Sequence, residues 1–104
     1  MVNVQIKDCI ALNELKLFMC DFNKDVKVID VRSLDEYKQQ HIPSAIHLEL
    51  AKLDLAELLF DKADVLITVC GKGGGRSAEA VTKLRQMGFK NANWLCGGTL
   101  GWKE

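Results

Sequence analysis

The chain has 104 residues, 48% apolar and 27% charged, which fits one globular domain with one modest core. Fourteen basic residues balance fourteen acidic ones, so no net field draws it to nucleic acid or an anionic membrane. The apolar runs are strand-sized, which argues against a transmembrane helix, and the stretch from Met1 to Lys7 lacks the apolar core of a signal peptide.

Four cysteines (Cys9, Cys20, Cys70 and Cys96) without such a signal point to free thiols in a reducing, cytoplasmic compartment. Their spacing contains no C-x-x-C pair and no zinc pattern. Val2, Val4 and Ile6 alternate with polar residues and predict an edge strand. Leu12, Leu15, Phe18, Met19 and Phe22 recur at helical spacing and predict a helix over about 11–22. Cys9 and Cys20 flank or join this helix and read as small buried hydrophobes. Val26–Val31 is a β-branched run expected to be a central strand, ending in the charges of Asp30 and Arg32. Ser33-Leu34-Asp35-Glu36 is a capping box that opens a short helix. A turn at His41–Ser44 leads to a small strand at Ala45–Leu48. An irregular leucine-rich helical segment follows, from Leu50 to near Phe60.

Val65–Cys70 is a buried strand that delivers a cysteine into the glycine-rich run from Gly71 to Gly75, and a helix follows from Arg76. That order suits thiolate chemistry. The strand holds the sulfur, and the glycines let backbone N–H groups turn inward to form an anion cradle. The helix adds its positive N-terminal end, so the cysteine is expected to ionise readily. Ala80, Val81, Leu84 and Met87 form the apolar stripe of that helix, and Gly88 stands where a C′ glycine ends it. Ala92–Leu95 is the last expected strand, before Cys96-Gly97-Gly98 and Trp102. Strands alternating with helices predict an α/β fold with a mostly parallel sheet. Asp30, Arg32, Cys70 and Cys96 then share the carboxyl edge of the sheet, where such folds bind ligands.

Four separated motifs resemble the rhodanese-like domain family. They are Val28-Ile29-Asp30-Val31-Arg32 with Asp35-Glu36-Tyr37, His41-Ile42-Pro43-Ser44-Ala45, Val69-Cys70 with Arg76-Ser77-Ala78, and Leu95-Cys96-Gly97-Gly98 with Trp102. They occur in the family's order and span most of residues 1–104, which are read as a single domain. The resemblance implies a central five-stranded, mostly parallel sheet flanked by helices on both faces. It also implies sulfur transfer without a metal or organic cofactor. Cys70 would take the outer sulfur of thiosulfate or a persulfide donor and pass it to a thiol, cyanide or a protein acceptor. Gly71, Lys72, Gly73, Gly74, Gly75 and Arg76 would cradle the anionic substrate. No nucleic acid or membrane partner is implied.

Five residues separate Cys70 from Arg76, where many members have four, giving a C-x5-R-S loop similar to that of phosphatases and arsenate reductases of this fold. Those enzymes usually carry a histidine before the cysteine, where this chain has Val69. Phosphoester cleavage needs an acid for the leaving group; none is evident nearby in sequence, and Asp30 or Glu36 can serve only if the fold aims it inward. A third reading is a non-catalytic module that binds an anion or a protein. Gln40 and Ser44 stand where the family often has glycine. Lys72 attracts the anion or is simply solvated.

Arg76 either binds the substrate oxyanion or ties the loop to a carboxylate. Asp30, Arg32 and Glu36 read as an ion-pair network supporting the loop, with Ser77 beside it. His41 and His47 read as structural, and Trp94 and Trp102 as packing residues. Cys96 is either a small buried residue or a second thiol, sterically able to form a disulfide with Cys70 if the two strands are neighbours.

Overall fold

The computed structural model describes residues 9–20, 25–71 and 75–102. Five strands form one parallel sheet in the order β1-β5-β4-β2-β3: β1 Cys9–Ile10, β2 Val26–Asp30, β3 Ile46–His47, β4 Val65–Val69 and β5 Ala92–Leu95. β4 lies at the centre because Leu66, Ile67, Thr68 and Val69 bury both faces of the strand. The pleat sends alternate residues to opposite sides. Ile29, Leu66, Cys70 and Ala92 pack on one side with Leu53, Ala56, Ala80, Val81, Leu84 and Phe89. Val28, Ile67, Val69 and Leu95 pack on the other with Leu15, Ile42 and Ala45. Helix α4 (Arg76–Gln86) and the leucine-rich segment cover the first side, and helix α1 (Leu12–Cys20) covers the second. The expected α/β architecture, a five-stranded parallel sheet covered on both faces, is present.

The short signals worked where the chemistry was local. Helix α2 (Leu34–Gln39) opens with the capping box: Ser33 Oγ accepts from Glu36 N at 3.3 Å, and Glu36 Oε1 accepts from Ser33 N at 3.2 Å. After α4, Gly88 adopts φ 103°, and the N–H groups of Gly88 and Phe89 donate to the Arg85 and Leu84 carbonyls at 3.0 Å. This is the glycine-ended closure the sequence implied. The leucine-rich segment is a 3₁₀ helix (Leu50–Leu55) running into the short α3 (Ala56–Leu59), with a kink at Lys52. A mixture of 3.0- and 3.6-residue turns explains the irregular period. The strand expected at Val2–Ile6 lies outside the described residues.

The cysteines depart from expectation. Cys9 and Cys96 form a disulfide, with Cα atoms 5.2 Å apart across 87 residues of chain. The four thiols are therefore not all free, and Cys96 is not bonded to Cys70. The strand order explains why. β5 lies between β1 and β4, so Cys96 has a cysteine-bearing strand on each side, and the edge strand carries its partner. In the chain-entropy view a bridge closing so long a loop contributes on the order of 4–5 kcal/mol. Cys20 is exposed rather than buried.

Ser44 sits at φ 72°, a left-handed conformation that glycine adopts without strain. Its departure from the family's usual glycine is thus carried as local strain. Ser44→Gly is expected to stabilise the fold by about 1 kcal/mol, raising Tm by roughly 4 °C or more in thermal unfolding.

Candidate active site

Cys70 is the first residue beyond β4 and is 5% exposed. Its backbone is pinned by both neighbouring strands. On the β2 side, Val31 N donates to the Val69 carbonyl at 3.1 Å. On the β5 side, Thr99 N donates to the Cys70 carbonyl at 2.8 Å and Leu100 N to the Gly71 carbonyl at 2.9 Å. Those two donors reach the cysteine because Gly97 (φ 81°) and Gly98 (φ 60°) reverse the chain after β5, in conformations that L side chains resist. The Cys96-Gly97-Gly98 motif is therefore a device for gripping the Cys70 peptide.

The sulfur points toward α4. Cys70 Sγ lies 3.3 Å from Ser77 Oγ, in hydrogen-bond contact, and Ser77 is fully buried. A hydroxyl can accept from a thiol or donate to a thiolate by rotating. Thr68 Oγ1 donates to the Ser77 carbonyl at 2.9 Å, which fastens the first turn of α4 to β4. Gly75, at φ 48°, turns the loop into that helix. The N–H groups opening α4 and the positive end of its dipole are thus set beside the cysteine. Lys72, Gly73 and Gly74 lie outside the described residues.

Of the two expectations for Arg76, the structure shows the tie to a carboxylate. Arg76 Nη1 and Nη2 donate to Glu36 Oε1 and Oε2 at 2.8 and 3.1 Å. Hydrogen bonding from Arg76 is the main cause that lowers the Glu36 carboxyl from 4.5 to about 2, with further help from Ser33. Glu36 in turn raises the Arg76 guanidinium, first by hydrogen bonding and then by charge, and the charges of Cys70 and Asp30 add to this. Both side chains are about two-fifths exposed, so the pair is worth little in stability. Its role is to join α2 to the start of α4.

The expected three-residue network is in fact two pairs. Asp30 and Arg32 form a second one, almost wholly buried. Arg32 Nε and Nη2 donate to Asp30 Oδ1 and Oδ2 at 2.9 and 2.7 Å, Arg32 N donates to Oδ1 at 3.0 Å, and Nη2 also donates to the Gln40 carbonyl. The Asp30 hydrogen bonds are the main cause raising the Arg32 guanidinium. His47 Nε2 is bonded to the Arg32 carbonyl, and His41 stacks on Tyr37 while its Nδ1 meets the Tyr37 carbonyl. Trp94 and Trp102 pack against the two core clusters, as expected of packing residues. An open cleft of about 490 Å³ runs past Arg76, lined among the described residues by Val31, Ser33, Leu50, Glu79 and Lys83 as well.

Three contributors had no legible signal. Thr99 and Leu100 act through backbone N–H groups, which every residue carries. Cys9 appeared unremarkable because its partner is set by sheet order.

A parallel α/β sheet with a cysteine gripped at the carboxyl end of its central strand, facing the start of a helix, defines a thiol-centred domain. The chain belongs to the rhodanese-like domain family, whose model matches residues 13–104. It is similar to a Coxiella burnetii thiosulfate sulfurtransferase, GlpE, at 36% identity over 77% of this chain and 74% of that protein. It also matches a tRNA sulfurtransferase of Desulfurococcus amylolyticus, at 43% identity over 71% of this chain but only 14% of that protein. A rhodanese-like domain protein from Staphylococcus aureus superposes with a TM-score of 0.80 at 30% identity, covering 95% of this chain and 93% of that one. No helix among the described residues is long and apolar enough to cross a membrane.

Two outcomes follow from the pairs. Because folding lowers the Glu36 carboxyl, its contribution is complete above about 4.5 and lost as pH falls toward about 2. The stability difference between the wild type and Glu36→Gln is therefore expected to shrink to nothing over that window in urea melts at stepped pH. Asp30→Ala leaves Arg32 buried without its carboxylate and is expected to cost roughly 3–5 kcal/mol in the same assay.

Proposed function

We propose that the protein is a sulfurtransferase that carries a sulfane sulfur on Cys70. The observation that carries this reading is the Cys70 sulfur, buried at the end of β4, 3.3 Å from the Ser77 hydroxyl and beside the opening of α4. The Cys70 thiolate attacks the outer sulfur of thiosulfate, the S–S bond breaks, and sulfite leaves with the bonding pair. The Cys70 persulfide is held by the Ser77 hydroxyl, the N–H groups opening α4 and the Gly71–Gly75 loop, which oppose its negative charge. A thiol, cyanide or a protein thiolate then attacks the outer sulfur and frees Cys70. A relay of this kind needs no general base once the cysteine is ionised.

Lys72 draws the anionic donor toward the loop. Arg76, held by Glu36, fixes where the loop meets α4 and presents positive charge to the donor. The buried Asp30–Arg32 pair supports the β2–α2 turn from which Glu36 reaches Arg76. Single-domain organisation and a cytoplasmic setting belong to the same proposal.

For the phosphatase or arsenate reductase reading, neither Asp30 nor Glu36 is placed to give a proton to a leaving group. Asp30 is locked to Arg32, and Glu36 is bonded to Arg76 and stays ionised at neutral pH. A non-catalytic module would leave the thiol inert. The thiosulfate–cyanide reaction separates these readings. Thiocyanate should form with parallel-line, ping-pong kinetics, fall to background in Cys70→Ser, and slow about 10–100-fold in Ser77→Ala through loss of a charge-assisted hydrogen bond. Thiocyanate formation undiminished in Cys70→Ser, or aryl phosphate hydrolysis without sulfur transfer, overturns the proposal.

A further inference from the structure

Three cysteines stand on one face of three adjacent strands. Cys9 lies opposite Trp94 in the β1–β5 register, and Thr68 lies opposite Trp94 in the β4–β5 register. Two positions beyond Thr68 and Trp94 come Cys70 and Cys96, and residues two apart on a strand share a face. Cys70 and Trp94 both pack on the α4 side of the sheet. The Cys9–Cys96 bridge spans neighbouring strands on that same side. The cysteines therefore run Cys9, Cys96, Cys70 across the sheet, with Cys96 in the middle and neighbouring strands about 4.8 Å apart. The chain stays against Cys70 after Cys96, since Thr99 N donates to the Cys70 carbonyl. Cys9 and Cys96 are half-buried, so small reagents can reach them, whereas Cys70 is buried.

We propose that reduced Cys9 and Cys96 form an internal dithiol that takes the sulfane sulfur from Cys70 and expels it as hydrosulfide. This rests on the sulfurtransferase reading, because it starts from the Cys70 persulfide. In the first step the Cys96 thiolate attacks the outer sulfur of that persulfide. The Cys70 S–S bond breaks, Cys70 leaves as a thiolate, and the sulfur now sits on Cys96. In the second step the Cys9 thiolate attacks the inner sulfur of the Cys96 persulfide. The Cys9–Cys96 bond forms and hydrosulfide leaves with the bonding pair. The two thiols give up two electrons and two protons, and the sulfane sulfur takes the electrons and leaves as hydrogen sulfide or its anion. The disulfide seen here is the spent form, which a small external dithiol returns to the reduced state by exchange.

The redox state of the pair thus decides the fate of the sulfur. The disulfide form keeps it on Cys70 for transfer to an acceptor. The dithiol form diverts it to hydrosulfide. Only a cysteine between the other two can do both steps, and Cys96 has that place.

The test uses the whole chain, reduced with a phosphine that is then removed under anaerobic conditions. One thiosulfate per protein is added with no other thiol present. Sulfite, hydrosulfide and intact mass are followed. Reduced wild type should release one sulfite and one hydrosulfide and end as the disulfide with no bound sulfur. Disulfide-form wild type should release sulfite and retain the sulfur. Cys9→Ser and Cys96→Ser should each give the sulfite burst, which shows that they are folded, but lose at least nine-tenths of the hydrosulfide and retain the added sulfur. Cys20→Ser, altered at the exposed end of α1, should behave as wild type. Reduced wild type that retains its sulfur as long as Cys96→Ser does overturns the proposal while leaving the sulfurtransferase reading intact. So does hydrosulfide release that survives in both Cys9→Ser and Cys96→Ser, or that is lost in Cys20→Ser. Absence of sulfite from every form overturns both.

Discussion

The grip on the Cys70–Gly71 peptide is the constraint on which the rest depends. A cysteine at a strand end is unremarkable while its backbone can move. Here the last strand overshoots, reverses at Gly97 and Gly98, and lays two N–H groups on the carbonyls of Cys70 and Gly71. The sulfur is then directed at Ser77 and the opening of α4. The terminal glycine motif, distant in sequence from the cysteine, is in this sense part of the site.

Two arginine–carboxylate pairs frame the cysteine, and they differ in kind. Asp30–Arg32 is buried, multiply bonded and costly to break, because either partner alone would be an uncompensated charge. Glu36–Arg76 is half-exposed, and its value is geometric: Glu36 caps α2 at one end and holds the first residue of α4 at the other. One carboxylate thus couples two helix openings across the mouth of the site. A pair that is weak in stability can still decide where a loop ends.

Much of this was legible in the chain because the signals were local. The Ser33–Glu36 capping box and the glycine at position 88 each satisfy their own hydrogen bonding within a few residues, and the apolar run at 65–69 and the cysteine with its glycines show in the order of residue types alone. What escaped depended on sheet order. The pairing of Cys9 with Cys96 follows from β5 lying between β1 and β4, and the period of 50–59 blurred because 3₁₀ and α turns are mixed there. Arg76 had two chemically equal partners in view, and only the placement of α2 favoured Glu36. The expectation of four free thiols failed for the same reason as the Cys70–Cys96 pairing: composition counts cysteines but does not seat them.

Seating also gives the domain its logic. The central strand presents the sulfur, and its neighbour on the β5 side supplies both the backbone grip and a disulfide-bonded cysteine. The neighbour on the β2 side supplies the charged frame. Each contribution comes from the carboxyl edge of a parallel sheet, where strand ends converge whatever their order in the chain. The most direct measurement is peptide mapping by mass of the disulfide-form protein after brief treatment with thiosulfate. One added sulfur, carried only by the peptide that contains Cys70 and removable by cyanide, is the predicted result. An unmodified Cys70 peptide, or sulfur found on Cys20 instead, would contradict the central claim.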